Sequence, residues 1–161
     1  MADKPTKSHG AKADPLSLDF LKSHSLFGGL SDEQLTRIRA SLQEDTFPKD
    51  YFIFREGDLG DRLYFIREGA VEIIKHIPGG EVKRLTLLGA GDTFGELELL
   101  DIQPRRASAR TLEDTTTLTL TNKGLYRIEE SDLKAFSLLI MNMAREIGRH
   151  LREYDGPPPR S

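Results

Sequence analysis

Between Thr46 and about Leu125 the chain is a succession of short β-forming runs cut by glycine. Arg62-Leu63-Tyr64-Phe65-Ile66-Arg67 stops at Glu68-Gly69, and Ala70-Val71-Glu72-Ile73-Ile74-Lys75 stops near Pro78-Gly79-Gly80. From Thr115 to Thr121, Leu118 and Leu120 fall on one face and threonines on the other, a period of two that suits a pleated strand. Turn signals recur at roughly 8–12-residue spacing, which points to a sandwich or closed barrel. Crossover βαβ units need a helix between strands and do not fit. Both ends read as helix. Ser31, with Gln34 three residues later, has the form of a capping box, and Leu35, Ile38 and Leu42 follow on one helical face. The pattern is helical again from Ser131-Asp132 to Tyr154. The fold class is therefore mainly β with flanking helices.

Residues Met1 to about Pro15 are rich in Lys, Asp, Ser, Gly, Ala and Pro without apolar periodicity, so a disordered arm is expected over 1–15. Gly156-Pro157-Pro158-Pro159 stops any helix and leaves a tail over 156–161. The folded unit is expected over 16–155, with its β region over about 45–125 and its last helix over about 131–154. That helix carries Ile140, Ala144, Ile147, Leu151 and Tyr154 at spacings of 4, 3, 4 and 3, a short heptad seam. The seam suits packing against the chain's own β region and pairing with a second copy equally well, so a homodimer through this helix is one expectation. Arg145, Arg149 and Arg152 read as its solvated face.

Composition removes several function classes. The absence of cysteine excludes disulfides, thiolate metal sites, Fe–S clusters and cysteine nucleophiles. With 26 acidic and 23 basic residues the net charge is −3, which argues against an overall basic nucleic-acid binder. No apolar run approaches the ~18 residues of a membrane span, and the N-terminus is too polar for a secretory signal. A cytoplasmic protein without a membrane span is expected. His9, His24, His76 and His150 lie far apart without ligand spacing, so no metal site is expected. Ser108 and Ser131 have no histidine and acid beside them in sequence, and no catalytic residue is assigned. Gly89-Ala90-Gly91-Asp92-Thr93-Phe94 lacks the third glycine and the long helix of a dinucleotide fingerprint.

The chemistry is concentrated between Gly91 and Ala109. Gly95 ends a β run and allows close backbone approach. Leu97, Leu99 and Leu100 then mark one helical turn, whose first N–H groups are unpaired and form an anion site. Ten residues after Gly95, Pro104 and Arg105 return the chain toward that turn. A guanidinium facing a helix start cradles a single phosphate group.

This stretch resembles the phosphate-binding cassette of cyclic-nucleotide-binding domains, the family of bacterial catabolite activator proteins and protein kinase A regulatory subunits. The family pattern, roughly F-G-E-x-x-L then P-R-x-A, is met by Phe94, Gly95, Glu96, Leu99, Pro104, Arg105 and Ala107. Glu56-Gly57-Asp58, Tyr64-Phe65-Ile66, Glu68-Gly69, Val71 and Gly91-Asp92 also fall where the family has its turns and strands, so the similarity runs from about Leu26 to Leu151. It implies a jelly-roll β-barrel (a double-stranded β-helix) with N-terminal helices and a long C-terminal helix over the ligand. It implies that Arg105 pairs with a cyclic phosphate and that Glu96 accepts from the ribose 2′-hydroxyl. Backbone N–H groups of Gly95, Glu96, Leu97 and Glu98 would complete the cradle, with Arg106 and Ala107 beside it. An ungapped count from Arg105 brings His150 and Leu151 to the purine and puts Thr86 on the strand facing the base. The implied ligand is a cyclic nucleotide, cAMP ahead of cGMP, with no cofactor.

Two positions depart from the family. Glu98 stands where it carries Ala, Ser or Gly, and is expected to point outward as a solvated helix residue. Arg106 stands where cAMP and cGMP binders carry a small or hydroxyl residue; it either adds charge for the phosphate, lies exposed, or pairs with Glu98. Bacterial relatives often append a helix-turn-helix, whereas seven residues follow Tyr154 here, so this chain alone is not expected to bind DNA. The resemblance implies a regulatory module that signals through its last helix to an effector protein which the sequence does not name. Two alternatives stay open. One is a degenerate domain kept for protein–protein interaction, with Glu96 as the ion-pair partner of Arg105 in an empty pocket. The other is a sensor of a cyclic dinucleotide.

Overall fold

Ser17 accepts a hydrogen bond from the Phe20 N–H and so caps the first helix, α1 (Leu18–Lys22). Ser17 is also where the described chain begins: the computed structural model describes residues 17–155, and the expected arm over 1–15 and tail over 156–161 lie outside them. A 3-10 turn over Ser25–Phe27 leads to α2 (Asp32–Arg39). The capping box is reciprocal, with Ser31 Oγ accepting from Gln34 N at 3.2 Å and Gln34 Oε1 accepting from Ser31 N at 2.9 Å. Leu35 and Ile38 bury their side chains as the periodicity requires, but Leu42 is not on that helix. It opens β1 (Leu42–Phe47), because α2 ends at Arg39.

Seven further strands follow: β2 (Phe52–Phe54), β3 (Arg62–Glu68), β4 (Ala70–His76), β5 (Val82–Gly89), β6 (Thr93–Phe94), β7 (Ser108–Thr111) and β8 (Thr115–Thr121). A short helix, α3 (Glu96–Asp101), lies between β6 and β7. The strands form two four-stranded antiparallel sheets, in the orders β1-β8-β3-β6 and β2-β7-β4-β5. Tyr64, Ile66 and Phe94 of the first sheet pack against Val71, Ile73, Leu88 and Ala109 of the second. This is the jelly-roll class expected, with one correction: among the described residues no strand pair joins the two sheets into a closed barrel.

The strand β3 is buried on both faces, which is why it reads as an unbroken apolar run. Tyr64 and Ile66 face the other sheet, while Leu63 and Phe65 face the helices. In β8, Leu118 and Leu120 join the helix-side core. Thr119 and Thr117 turn inward, as their pairing with Tyr64 and Ile66 requires. Their hydroxyls are satisfied there, since Thr119 Oγ1 donates to Asp45 Oδ2 at 2.7 Å and the Thr117 and Thr119 hydroxyls lie 3.3 Å apart.

The β region ends at Thr121 rather than near Leu125. Thr121 Oγ1 accepts from Gly124 N at 3.0 Å and caps α4 (Asn122–Ser131), so a residue that prolongs a threonine-rich strand in sequence starts a helix in space. Asp132, in an extended conformation, accepts from Ala135 N through Oδ1 at 3.0 Å and starts α5 (Leu133–Asp155) as a separate helix. The helix expected over 131–154 is thus preceded by one that periodicity did not separate. Ala135, Leu139 and Met143 of α5 are fully buried against the N-terminal segment and the first sheet. Asn142 Nδ2 donates to Leu26 O and Gly28 O, both at 2.9 Å. The heptad seam lies beside this stripe: Ile140 leans on the core, while Ala144 and Leu151 are exposed. Among the described residues no helix is long and apolar enough to cross a membrane.

Candidate functional site

The short strand β6 delivers Gly95 at φ +84°, in the left-handed region, as the N-cap of α3. A Cβ there would lie 2.8 Å from Arg105 Nη1 and 3.0 Å from Arg62 O, so both the turn and the packing demand glycine. After α3 the chain returns through Pro104, which bridges to Leu59. Arg105 N donates to Asp58 O at 2.7 Å and Gly57 N donates to Arg105 O at 2.8 Å. The Glu56-Gly57-Asp58 turn thereby fixes the backbone of Arg105.

The Arg105 side chain is engaged inside the protein. Nη1 donates to Gly95 O at 3.0 Å and Nη2 to Arg62 O at 2.7 Å, and the guanidinium lies 4.2 Å from the centre of the Phe54 ring. Arg105 is 3% exposed. Two neutral carbonyls leave its charge uncompensated, and a buried cation calls for a counter-charge. That counter-charge comes from Glu98, whose Oε2 lies 3.3 Å from Nη1 and whose Oε1 accepts from Arg106 N at 3.4 Å. The expectation that Glu98 points to solvent is therefore corrected: its side chain is only 12% exposed.

Glu96 is not the partner of Arg105. It is buried, and its Oε1 meets Nδ1 of His150 from α5 at 2.6 Å. This hydrogen bond holds the His150 ring above the ordinary histidine value of 6.5, against the opposing effect of burial. Among the described residues, Glu96 Oε2 and Arg105 Nε are buried with no hydrogen-bond partner. A second tie runs through Glu146 of α5. It accepts from Ser25 Oγ at 2.6 Å and from Thr93 Oγ1 at 3.4 Å, and pairs with Arg149. The helix is thus held both to the strand before Gly95 and to the residue after it.

Between the second sheet, the Gly95–Ala107 segment and α5 lies a cavity of about 230 Å³. Gly95, Glu96, Leu97, Glu98, Arg106, Ala107, His150 and Leu151 all line it, so most residues read from the sequence are brought together. Although its partner Glu98 is on the wall, Arg105 is not. Nor is Thr86, which is half-buried on β5 opposite Ile73. Leu85 lines the cavity, at an irregularity where Ile73 pairs with Thr86 but Ile74 pairs with Arg84. An ungapped count cannot register such a bulge. Phe54, Ile73, Lys75, Phe94 and Ile147 complete the wall without having been singled out as contacts. Strand alternation and the heptad seam carried a signal for the apolar ones; nothing in the sequence marked Lys75.

The geometry agrees with the comparisons to known proteins. The family model for the cyclic nucleotide-binding domain matches residues 44–132. The cyclic AMP receptor protein of Thermus thermophilus is 36% identical over 135 residues, which cover 84% of this chain and 61% of that protein. A cAMP-dependent protein kinase regulatory subunit of Debaryomyces hansenii is 33% identical over 110 residues, 68% of this chain and 24% of that one. The chain therefore spans less than two thirds of the length of these relatives. The crystal structure of a cyclic nucleotide-binding domain from Methylobacillus flagellatus matches with a TM-score of 0.77 at 28% identity, covering 85% of this chain and 77% of that one. The family match takes in the strands, the Gly95–Ala107 cassette and α4, and this chain belongs to the cyclic nucleotide-binding domain family.

Proposed function

We propose that the chain is a regulatory module that binds a cyclic nucleotide, cAMP ahead of cGMP, and passes the signal on through α5. The observation that carries this reading is the cavity between cassette and helix, with a buried carboxylate oxygen of Glu96 that lacks a hydrogen-bond partner among the described residues. A ribose 2′-hydroxyl donating to Glu96 would satisfy it. The phosphate would lie on the N–H groups of Gly95 to Glu98 at the start of α3, with Arg105 supplying charge from behind and Arg106 from the side. The purine would meet His150 and Leu151 on the helix side, with Leu85 on the strand side. The relatives named for cyclic AMP support cAMP as the ligand.

The signal follows from where α5 is tied. A nucleotide whose ribose donates to Glu96 Oε2 shares the carboxylate that bonds His150 through Oε1, which alters one of the two holds on the helix and hence which positions of the helix are favoured. The exposed Ala144 and Leu151 of the heptad seam are the surface by which a second copy would pair. An effector protein reading α5 completes the role, and binding to DNA is not assigned to this chain alone. No enzymatic step and no cofactor are part of the reading. A cytoplasmic setting is part of the reading.

A second reading is a degenerate domain that kept the fold for protein–protein contacts, favoured by the internal neutralisation of Arg105. Thermal unfolding with cAMP, cGMP, cyclic di-GMP and AMP separates the two. A ligand at a hundred times its dissociation constant adds about 2.7 kcal/mol of stability. A clear upward shift with cAMP or cGMP is the expected result. No shift with any of the four would turn the assignment to the interaction module, and a shift with cyclic di-GMP alone would make it a cyclic dinucleotide sensor.

A further inference from the structure

The cassette already contains an anion of its own. One carboxylate, that of Glu98, meets two groups of the Arg105–Arg106 segment: Oε2 lies 3.3 Å from Arg105 Nη1 and Oε1 accepts from Arg106 N at 3.4 Å. Glu98 lines the cavity and Arg105 does not, so the acidic member of this pair is the one that borders the space a ligand would use. It is also held in place. A Cβ at Gly60 would lie 2.3 Å from Glu98 Cβ and 3.2 Å from Arg105 Nε, so Gly60 packs directly on the pair.

We propose that Glu98 is the resident anion of the phosphate subsite, a competitor built into the chain that a phosphate-bearing ligand has to displace. The residue thereby sets how far the site prefers a cyclic nucleotide over a neutral nucleoside. This rests on the reading of the cavity as a nucleotide site. The physics is that of like charges sharing one cation. With Glu98 in place, Arg105 is neutralised, and a second anion beside it meets a carboxylate before it meets net positive charge. With Glu98 swung aside, the carboxylate loses a buried partner and needs a new one. Either route subtracts from the affinity for a phosphate and leaves a ligand without one untouched.

The test is calorimetric titration of the full chain and of Glu98→Gln and Glu98→Ala with cAMP and cGMP, and with adenosine and guanosine as uncharged probes. The glutamine variant keeps the size and the hydrogen-bonding capacity and removes only the charge, so it reports even if the alanine variant fails to fold. The expected result is that loss of the charge tightens the binding of the preferred cyclic nucleotide by about tenfold or more. Its nucleoside should change by less than about threefold. Cyclic-nucleotide affinity that is unchanged or weaker in both variants overturns the inference while leaving the nucleotide site intact. Parallel tightening of nucleotide and nucleoside also overturns it, because Glu98 would then be excluding ligands by bulk. Absence of binding to all four probes in all three proteins overturns the reading of the site itself, and the inference with it.

Discussion

His150 Nδ1 on α5 and Glu96 Oε1 at the start of α3 meet at 2.6 Å, so the last helix and the cassette share a hydrogen bond at the wall of the cavity. Family resemblance assigns both residues to the ligand, one to the base and the other to the ribose. In the structure they serve each other. Under the proposed function, a ribose hydroxyl donating to Glu96 Oε2 would share the carboxylate whose Oε1 holds the helix, and ligand binding would thereby be coupled to helix position.

The pairing has a pH dependence of definite sign. The hydrogen bond and charge of Glu96, helped by Glu153 and Asp92, raise the His150 value above 6.5 against desolvation. A histidine raised on folding contributes stability that is fully present below its unfolded value and is lost as the pH rises through its folded one. An NMR titration of the His150 ring should give a midpoint above 6.5, moving back down in Glu96→Gln. A midpoint at or below 6.5 in the unaltered chain would show that the ion pair does not form in solution.

Arg105→Ala should weaken cyclic-nucleotide binding at least tenfold, ~1.4 kcal/mol. It should also lower stability in urea unfolding, by less than the ~3–5 kcal/mol of a fully buried pair, because it leaves the half-buried Glu98 carboxylate without its partner. Removing both groups in Arg105→Ala/Glu98→Ala should cost less than Arg105→Ala alone, since no charge is then orphaned. Additive losses in that cycle would mean that the two side chains do not act on one another.

For Glu96 the measurement is made on the ligand. A 2′-deoxy analogue of the bound cyclic nucleotide should lose ~1.5–3 kcal/mol of affinity, the range for a hydrogen bond to a charged acceptor. Equal affinities for analogue and parent would remove Glu96 from the ribose.

Two glycines should respond in opposite directions. Gly60→Ala places a methyl 2.3 Å from Glu98 Cβ and should cost ~1–3 kcal/mol, with weakened nucleotide binding because α3 is pushed off Arg105. Gly148→Ala, inside α5 with nothing within 4 Å of the added carbon, should raise stability by ~0.5–1 kcal/mol. A denaturation midpoint of Gly60→Ala at or above that of the parent would contradict the packing described around Gly60, and one of Gly148→Ala below it would contradict the open space at Gly148.

The sheets were legible because glycine punctuation and the two-residue period carry the strands locally, and the cassette was legible because its residues are close in sequence. What escaped depends on contacts that no local pattern encodes. Whether Glu98 points in or out is decided by the burial of Arg105, which in turn depends on Gly95 O and Arg62 O. Thr121 is compatible with a strand end and with a helix cap, and only the Gly124 N–H selects the second. Leu85 replaces Thr86 on the cavity wall because of an irregular pairing with β4. Glu96 and His150 were each placed at the site, yet their bond to one another joins distant parts of the chain and leaves no trace in periodicity.

The decisive measurement is a ¹⁵N-resolved NMR spectrum of the chain recorded with and without a saturating cyclic nucleotide, cAMP and then cGMP. The amides of Gly95 to Glu98 and Arg106 should shift most, together with those of His150 and Leu151 on α5, because cassette and helix bound the same cavity. Shifts confined to surface residues away from that cavity, or a spectrum unchanged by either nucleotide, would contradict a nucleotide site between the cassette and the last helix.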